Sequence, residues 1–145
     1  MSTEEDKKLP VKKSVARLAA VQYLFATLID ENALTPLKLL SLYQNNEIEN
    51  DLNINIGYFN KLIEALTLNL TSQKLIIEDY LPKKKLEQQN LISQAIILTA
   101  LCEYSFIENI PRKVLINEYT NIASSFLNNN DEIGFINAVL DKVLK

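Results

Sequence analysis

The chain has 145 residues, a net charge of −3 and 48% apolar residues, with only two glycines and four prolines. That is the length of one domain with a real core, and too little glycine for a turn-rich β fold. The absence of histidine and the single cysteine, Cys102, exclude an internal disulfide and a Cys/His zinc cluster, and remove the commonest general base. A lone cysteine suits a reducing, cytoplasmic setting.

Residues 1–11 are charged, contain Pro10 and read as a mobile tail with no secretory signal. A first helix is expected from about Lys12–Ser14, with Ser14 as a plausible cap. Leu18, Val21, Phe25 and Leu28 form its apolar stripe, and Lys13 and Arg17 are i, i+4 neighbours on the other side. Thr35-Pro36 opens a second helix over Leu37–Tyr43. A polar stretch, Gln44–Asn55, reads as a loop. A third helix fits Ile56–Leu70, with Phe59, Ile63, Leu66 and Leu70 inward. A further short helix fits Ser72–Tyr80, ending before Leu81-Pro82. Lys83-Lys84-Lys85 reads as a solvated linker or, alternatively, an auxiliary phosphate contact.

Leu91–Ile107 is the most apolar run, 17 residues interrupted by Ser93, Gln94, Thr99, Glu103 and Ser105. It is short of the about 20 residues of a membrane span and reads as a buried central helix. Cys102 within it reads as a buried small hydrophobe. Pro111 opens the next helix, with Leu115, Tyr119, Ile122 and Phe126 inward. Asp131 is the expected cap of a last helix ending at Leu144, with Ile136, Leu140 and Val143 inward. The count is about seven helices, with no internal repeat.

Charge is uneven. Residues 7–29 carry Lys7, Lys8, Lys12, Lys13 and Arg17 and no acid, whereas residues 30–145 carry ten bases and fifteen acids. A basic amino end on an acidic body suggests one local anionic contact. Neither a nucleophile elbow, nor a Walker loop, nor a dinucleotide fingerprint is present. Adjacent carboxylates such as Glu4-Glu5 and Asp131-Glu132 read as caps and solubilising charge. The expectation is a binding protein without catalysis, cofactor or metal. Tyr23, Phe25, Tyr80 and Phe135 lie near polar loops, where aromatic rings can stack on unpaired bases, although such rings more often belong to the core.

Four blocks carry a resemblance. The first is Ala16, Arg17, Ala20, Val21, Gln22, Leu24 and Phe25 behind basic residues. The second is Tyr58-Phe59, with Ala100, Leu101 and Glu103 closing the central helix. The third is Pro111, Lys113, Val114, Ile116, Asn117 and Glu118. The last is Phe135, Ile136, Asn137, Val139, Leu140, Asp141 and Lys142. In this order and spacing, over about Lys12 to Val143, the chain resembles the NusB family of bacterial transcription antitermination factors.

The resemblance implies an all-α fold with a single domain over 12–145, in helical subdomains of about 12–80 and 86–145. It implies binding to boxA-type single-stranded leader RNA together with a small-subunit ribosomal protein acting as NusE. NusA, NusG and RNA polymerase complete the assembly, which suppresses premature termination of ribosomal RNA transcription. The RNA face implied is Lys12, Lys13, Ser14, Arg17, Gln22, Phe25, Tyr80, Asp131 and Phe135. Lysines and Arg17 would meet phosphate, Gln22 a base edge, and Phe135 would offer a stacking face. Some family members form homodimers that hide this face.

The chain departs from the family pattern at Leu98, where an arginine is usual, at Ser124, usually lysine, and at Ala138, usually glycine. Its arm is also poorer in arginine, which forms bidentate pairs that lysine cannot. These losses imply weaker intrinsic RNA affinity and more reliance on the protein partner. The rivals are an adaptor that has lost RNA binding, and an RNA methyltransferase with a NusB-like amino-terminal domain. The second would need a glycine-rich cofactor domain beyond Lys145.

Overall fold

The computed structural model describes residues 12–44, 53–81, 86–107 and 109–145. The expected tail, the Lys83-Lys84-Lys85 linker and most of the polar loop before the third helix lie outside the described residues. Six α-helices occur among the described residues: α1 Lys13–Ile29, α2 Pro36–Gln44, α3 Ile56–Tyr80, α4 Leu91–Phe106, α5 Arg112–Phe126 and α6 Asn130–Val143. The only β feature among them is an isolated parallel bridge, Lys12 with Ile54. It ties the start of α1 to the start of α3 through Lys12 N–H to the Asn53 carbonyl (2.9 Å) and Asn55 N–H to the Lys12 carbonyl (3.3 Å).

The all-helical expectation holds, with one helix fewer. The separate helix expected at Ser72–Tyr80 is the second half of α3, which runs unbroken for 25 residues. Polar side chains on either side of the expected join serve the helix. Asn69 Nδ2 donates to the Ala65 carbonyl (3.0 Å) and Ser72 Oγ to the Asn69 carbonyl (3.0 Å). Gln73 and Ile77 then turn inward, 2% and 0% exposed, so burial continues past the polar segment.

α4 is apolar all round and is buried from Ser93 to Glu103. A helix with no polar face must be surrounded, and α1, α3, α5 and α6 pack against it. The α1 side of that packing uses small residues. Ala16, Ala19 and Ala20 are fully buried beside Val21 and Leu24, whereas Leu18, Phe25 and Leu28 are only partly buried. Of the expected stripe on α1, Val21 is at the centre of the buried face, and Leu18, Phe25 and Leu28 pack at its edge. Alanines allow the backbones of α1 and α4 to approach closely, and Leu18 and Phe25 sit at the flank facing α5.

Helix starts follow local chemistry. Asn55 and Asn90 cap α3 and α4 by accepting from Tyr58 N–H (2.9 Å) and Ser93 N–H (2.8 Å). Thr35 Oγ1 accepts from Lys38 N–H at 3.1 Å, as expected. Two expected caps are displaced. Lys12, not Ser14, stands at the start of α1, and its side chain makes no cap bond. Asn129, not Asp131, caps α6, accepting from Asp131 N–H (2.8 Å) and Glu132 N–H (3.3 Å). Asp131 and Glu132 then lie in the first turn, where negative charge complements the helix dipole. Arg112 fastens the start of α5 to the end of α6. It donates to the Leu144 carbonyl and, through its second amino group, to the Asp141 carbonyl and Oδ1 (both 2.6 Å).

Candidate nucleic-acid interface

Three of the four sequence blocks meet at one buried polar cluster. Glu103, 0% exposed on α4, accepts from Arg17 Nε of α1 through both oxygens (2.9 and 3.0 Å). It also accepts from the hydroxyl of Tyr58 on α3, and from that of Tyr119 on α5 at 2.6 Å. Arg17 Nη1 reaches Glu118 Oε1 at 3.1 Å. The Tyr58 ring faces two cations, with Lys13 Nζ 4.9 Å and the Arg17 guanidinium carbon 5.6 Å from its centroid. Each partner comes from a different helix, so the cluster sets the mutual placement of α1, α3, α4 and α5.

This corrects the expectation that Arg17 faces outward to meet phosphate. It is 5% exposed and spends its donors on Glu103 and Glu118. A buried carboxylate needs a paired cation and hydrogen bonds, and Arg17 supplies the pairing. Burial works against its charge, but the hydrogen bond and charge of Glu103 outweigh that, and its pKa is raised above the ordinary arginine value.

Burial first, and then the Glu103 carboxylate, raise the Tyr58 and Tyr119 phenol pKa values, and burial raises that of Tyr43. The sign of the pH effect follows. Below about pH 10, the ordinary phenol value, folded and unfolded chains both keep these protons and the full contribution stands. Above it the unfolded chain releases them and the folded chain does not, so stability falls as pH rises toward the folded values. The tyrosinate absorbance of these three residues should therefore appear together with loss of helical circular dichroism. Titration of Tyr58 and Tyr119 near pH 10 in a chain that keeps its helicity would contradict the cluster. Burial likewise pushes the Cys102 thiol up to about 12, consistent with a packing role.

Above the cluster, two hollows lie along the seam between α1 and α5. The first, about 280 Å³, has Lys12, Ser14 and Leu18 of α1 on one wall and Glu118, Asn121 and Ser125 of α5 on the other. The second, about 380 Å³, is an aromatic slot formed by Gln22 and Phe25 of α1, Phe126 of α5, and Asn90 and Ile92 where α4 begins. From Lys12 to Phe25 the seam extends about 20 Å at 1.5 Å per residue. Tyr43 donates to Gln22 Oε1 at 2.6 Å. That bond fixes the orientation of the Gln22 amide and leaves its –NH2 group to donate.

The expected residues divide accordingly. Lys12 and Ser14 line one hollow, and Gln22 and Phe25 the other. Lys13 is half-buried beside Tyr58. Asp131 is exposed in the first turn of α6, which abuts the slot because Asn90 Nδ2 donates to Glu132 Oε2 at 2.5 Å. Phe135 is half-buried and packs on the core. Tyr80, 44% exposed, is the last residue of α3 and lines neither hollow.

Phe126 was expected inward on α5. It is instead 41% exposed at the helix end, in the slot, and Ala123 takes the inner place beside Ile122. Glu118 and Asn90 are further groove residues that the charge reading missed. Leu98, where the resemblance expects arginine, is 0% exposed, so that departure changes the core and not the groove. Ser124 is exposed and its hydroxyl donates to the Thr120 carbonyl at 3.2 Å. No helix among the described residues is long and apolar enough to cross a membrane.

The fold and the seam define an all-α protein with a polar and aromatic groove between two helices. A model of the NusB family matches residues 14–145, and the chain belongs to that family of transcription antitermination proteins. It is 36% identical to the transcription antitermination protein NusB of Rickettsia massiliae (strain Mtu5), over an alignment covering 92% of each chain. It is 35% identical to that of Rickettsia bellii (strain OSU 85-389), covering 91% of this chain and 89% of the relative. A solved structure of T. maritima NusB superposes with a TM-score of 0.76 at 21% identity, covering 95% of this chain and 92% of the other, a likeness of fold.

Proposed function

We propose that the protein binds boxA-type single-stranded RNA along the α1–α5 groove, as a cytoplasmic antitermination factor for ribosomal RNA transcription. In this reading its protein partner is the small-subunit ribosomal protein acting as NusE, and NusA, NusG and RNA polymerase complete the assembly. The carrying observation is the order of groups along one seam, with Lys12 and Ser14 at one end and Gln22, Phe25 and Phe126 at the other. Cations that meet phosphate, followed by a ring slot and an oriented amide, are what an unpaired strand requires. In this reading Asp131 and Phe135 of α6 would extend the RNA face beyond the slot, and Tyr80 would act only on a strand that leaves the groove.

The burial of Arg17 and the presence of Glu118 on the wall favour a second reading, a protein adaptor with little RNA affinity of its own. Salt dependence separates the two. For single strands, log K falls with log salt at about −0.7 per phosphate neutralised. The double substitution Lys12→Ala/Lys13→Ala should flatten the slope by about 1.4 and weaken binding of every sequence alike. An unchanged slope favours the adaptor. Arg17→Ala is unsuited to this test, because it opens the buried cluster.

A further inference from the structure

We infer that Glu118 is a specificity-determining residue, whose carboxylate accepts a hydrogen bond from the amino group of an unpaired nucleobase seated in the hollow between Ser14 and Asn121. This inference rests on the RNA-binding reading above and names what one part of the groove selects.

A groove built only to hold phosphate has no use for a carboxylate, which repels the backbone. Glu118 nonetheless lines the hollow, with its side chain 28% exposed. Its charge is held from behind, because Arg17 Nη1 contacts Oε1 at 3.1 Å and Arg17 is itself gripped by Glu103. A carboxylate offers about four lone-pair sites, so acceptor capacity remains after the Arg17 contact. The anchoring limits the entropy lost when a ligand is bound.

The hollow is of the right kind for a base. Its volume, about 280 Å³, lies just under the roughly 300–1,000 Å³ of drug-sized ligand sites and has room for one planar ring system. Val15, Leu18 and Ile122 supply an apolar wall, while Ser14 and Asn121 add polar groups at the rim. Carboxylates read base edges by accepting from amino groups, as from cytosine N4. Uracil, whose edge at that position is a carbonyl, would place acceptor against acceptor. The site should therefore prefer an amino-bearing base, cytosine over uracil, at one position of the bound strand.

The test compares a boxA-like oligonucleotide with versions in which each cytidine in turn is replaced by uridine, on the full chain and on Glu118→Gln. The wild type should favour cytidine at one position by about tenfold or more, within the range of a specific side-chain contact to a base edge. In Glu118→Gln, which presents a donor beside an acceptor, that ratio should approach one. The ratio is taken within each variant, so a loss of folded fraction, which lowers all affinities equally, cancels from it. If the wild type binds RNA and the substitution leaves every cytidine-to-uridine ratio unchanged, the inference is overturned while the groove reading stands. If the wild type binds none of the oligonucleotides, both fall.

Discussion

Glu103→Ala is expected to cost about 3–5 kcal/mol, the penalty for leaving one member of a buried ion pair without its partner. Domains of this size are stable by only about 5–15 kcal/mol, so the variant should be largely unfolded or melt far below the parent. The loss is concentrated because one carboxylate serves three donors on three helices, Arg17 on α1, Tyr58 on α3 and Tyr119 on α5. Removing it strands the Arg17 cation and two phenol hydroxyls in the interior, and each unsatisfied hydroxyl adds to the penalty. Surface carboxylates such as Asp131 should cost within about 0.5 kcal/mol when truncated. Urea unfolding followed by circular dichroism measures the difference. A Glu103→Ala chain with the parent's midpoint would mean that the cluster is incidental to the fold.

The cluster also explains the order and spacing of the sequence blocks. Arg17 belongs to the first, Tyr58 and Glu103 to the second, and Glu118 to the third. Three of the four signatures along the chain thus meet in space at one hydrogen-bonded knot, while the fourth packs Ile136, Val139 and Leu140 into the core and holds Arg112 through Asp141.

Much of the fold was legible in the residues. The apolar run of α4, the inward Leu115, Tyr119 and Ile122 of α5 and the inward Ile136, Leu140 and Val143 of α6 are all buried as their periodicity predicts. Three features were hidden for physical reasons. Arg17 reads as solvent-facing because charge on a helix usually is, and the partner that makes its burial affordable lies 86 residues away. Phe126 continues the inward spacing of its helix, but Ala123 and Leu127 take the inner positions at the helix end, so the ring emerges into the slot. Ser72 reads as the start of a new helix because such side chains often cap helices, whereas here its hydroxyl bonds to the Asn69 carbonyl one turn back. The candidate site was legible mainly as residue types. Lys12, Ser14, Gln22 and Phe25 do line one seam, whereas the α5 wall carries no charge pattern that would announce it.

Phe126→Ala carries the second large effect. Stacking of a base on an aromatic side chain is worth about 1–3 kcal/mol by alanine substitution, so RNA affinity should fall by roughly 5- to 100-fold. Stability should change little, because the ring is already 41% exposed and the cavity cost of about 3–5 kcal/mol for a buried phenylalanine does not apply in full. Phe25 lies in the same slot but also packs on the core, so its truncation mixes the two effects and Phe126 is the cleaner probe. The salt slope should be unchanged in Phe126→Ala, since no phosphate contact is lost, in contrast to the Lys12/Lys13 pair.

The claim that the α1–α5 groove holds an unpaired RNA strand is tested most directly by titrating a boxA-like oligonucleotide against the wild type and Phe126→Ala side by side, at one fixed salt concentration. The account predicts saturable binding by the wild type and a loss of roughly 5- to 100-fold in the variant, with the two melting temperatures nearly equal. Equal affinity of the two chains, or no binding by the wild type, would contradict it.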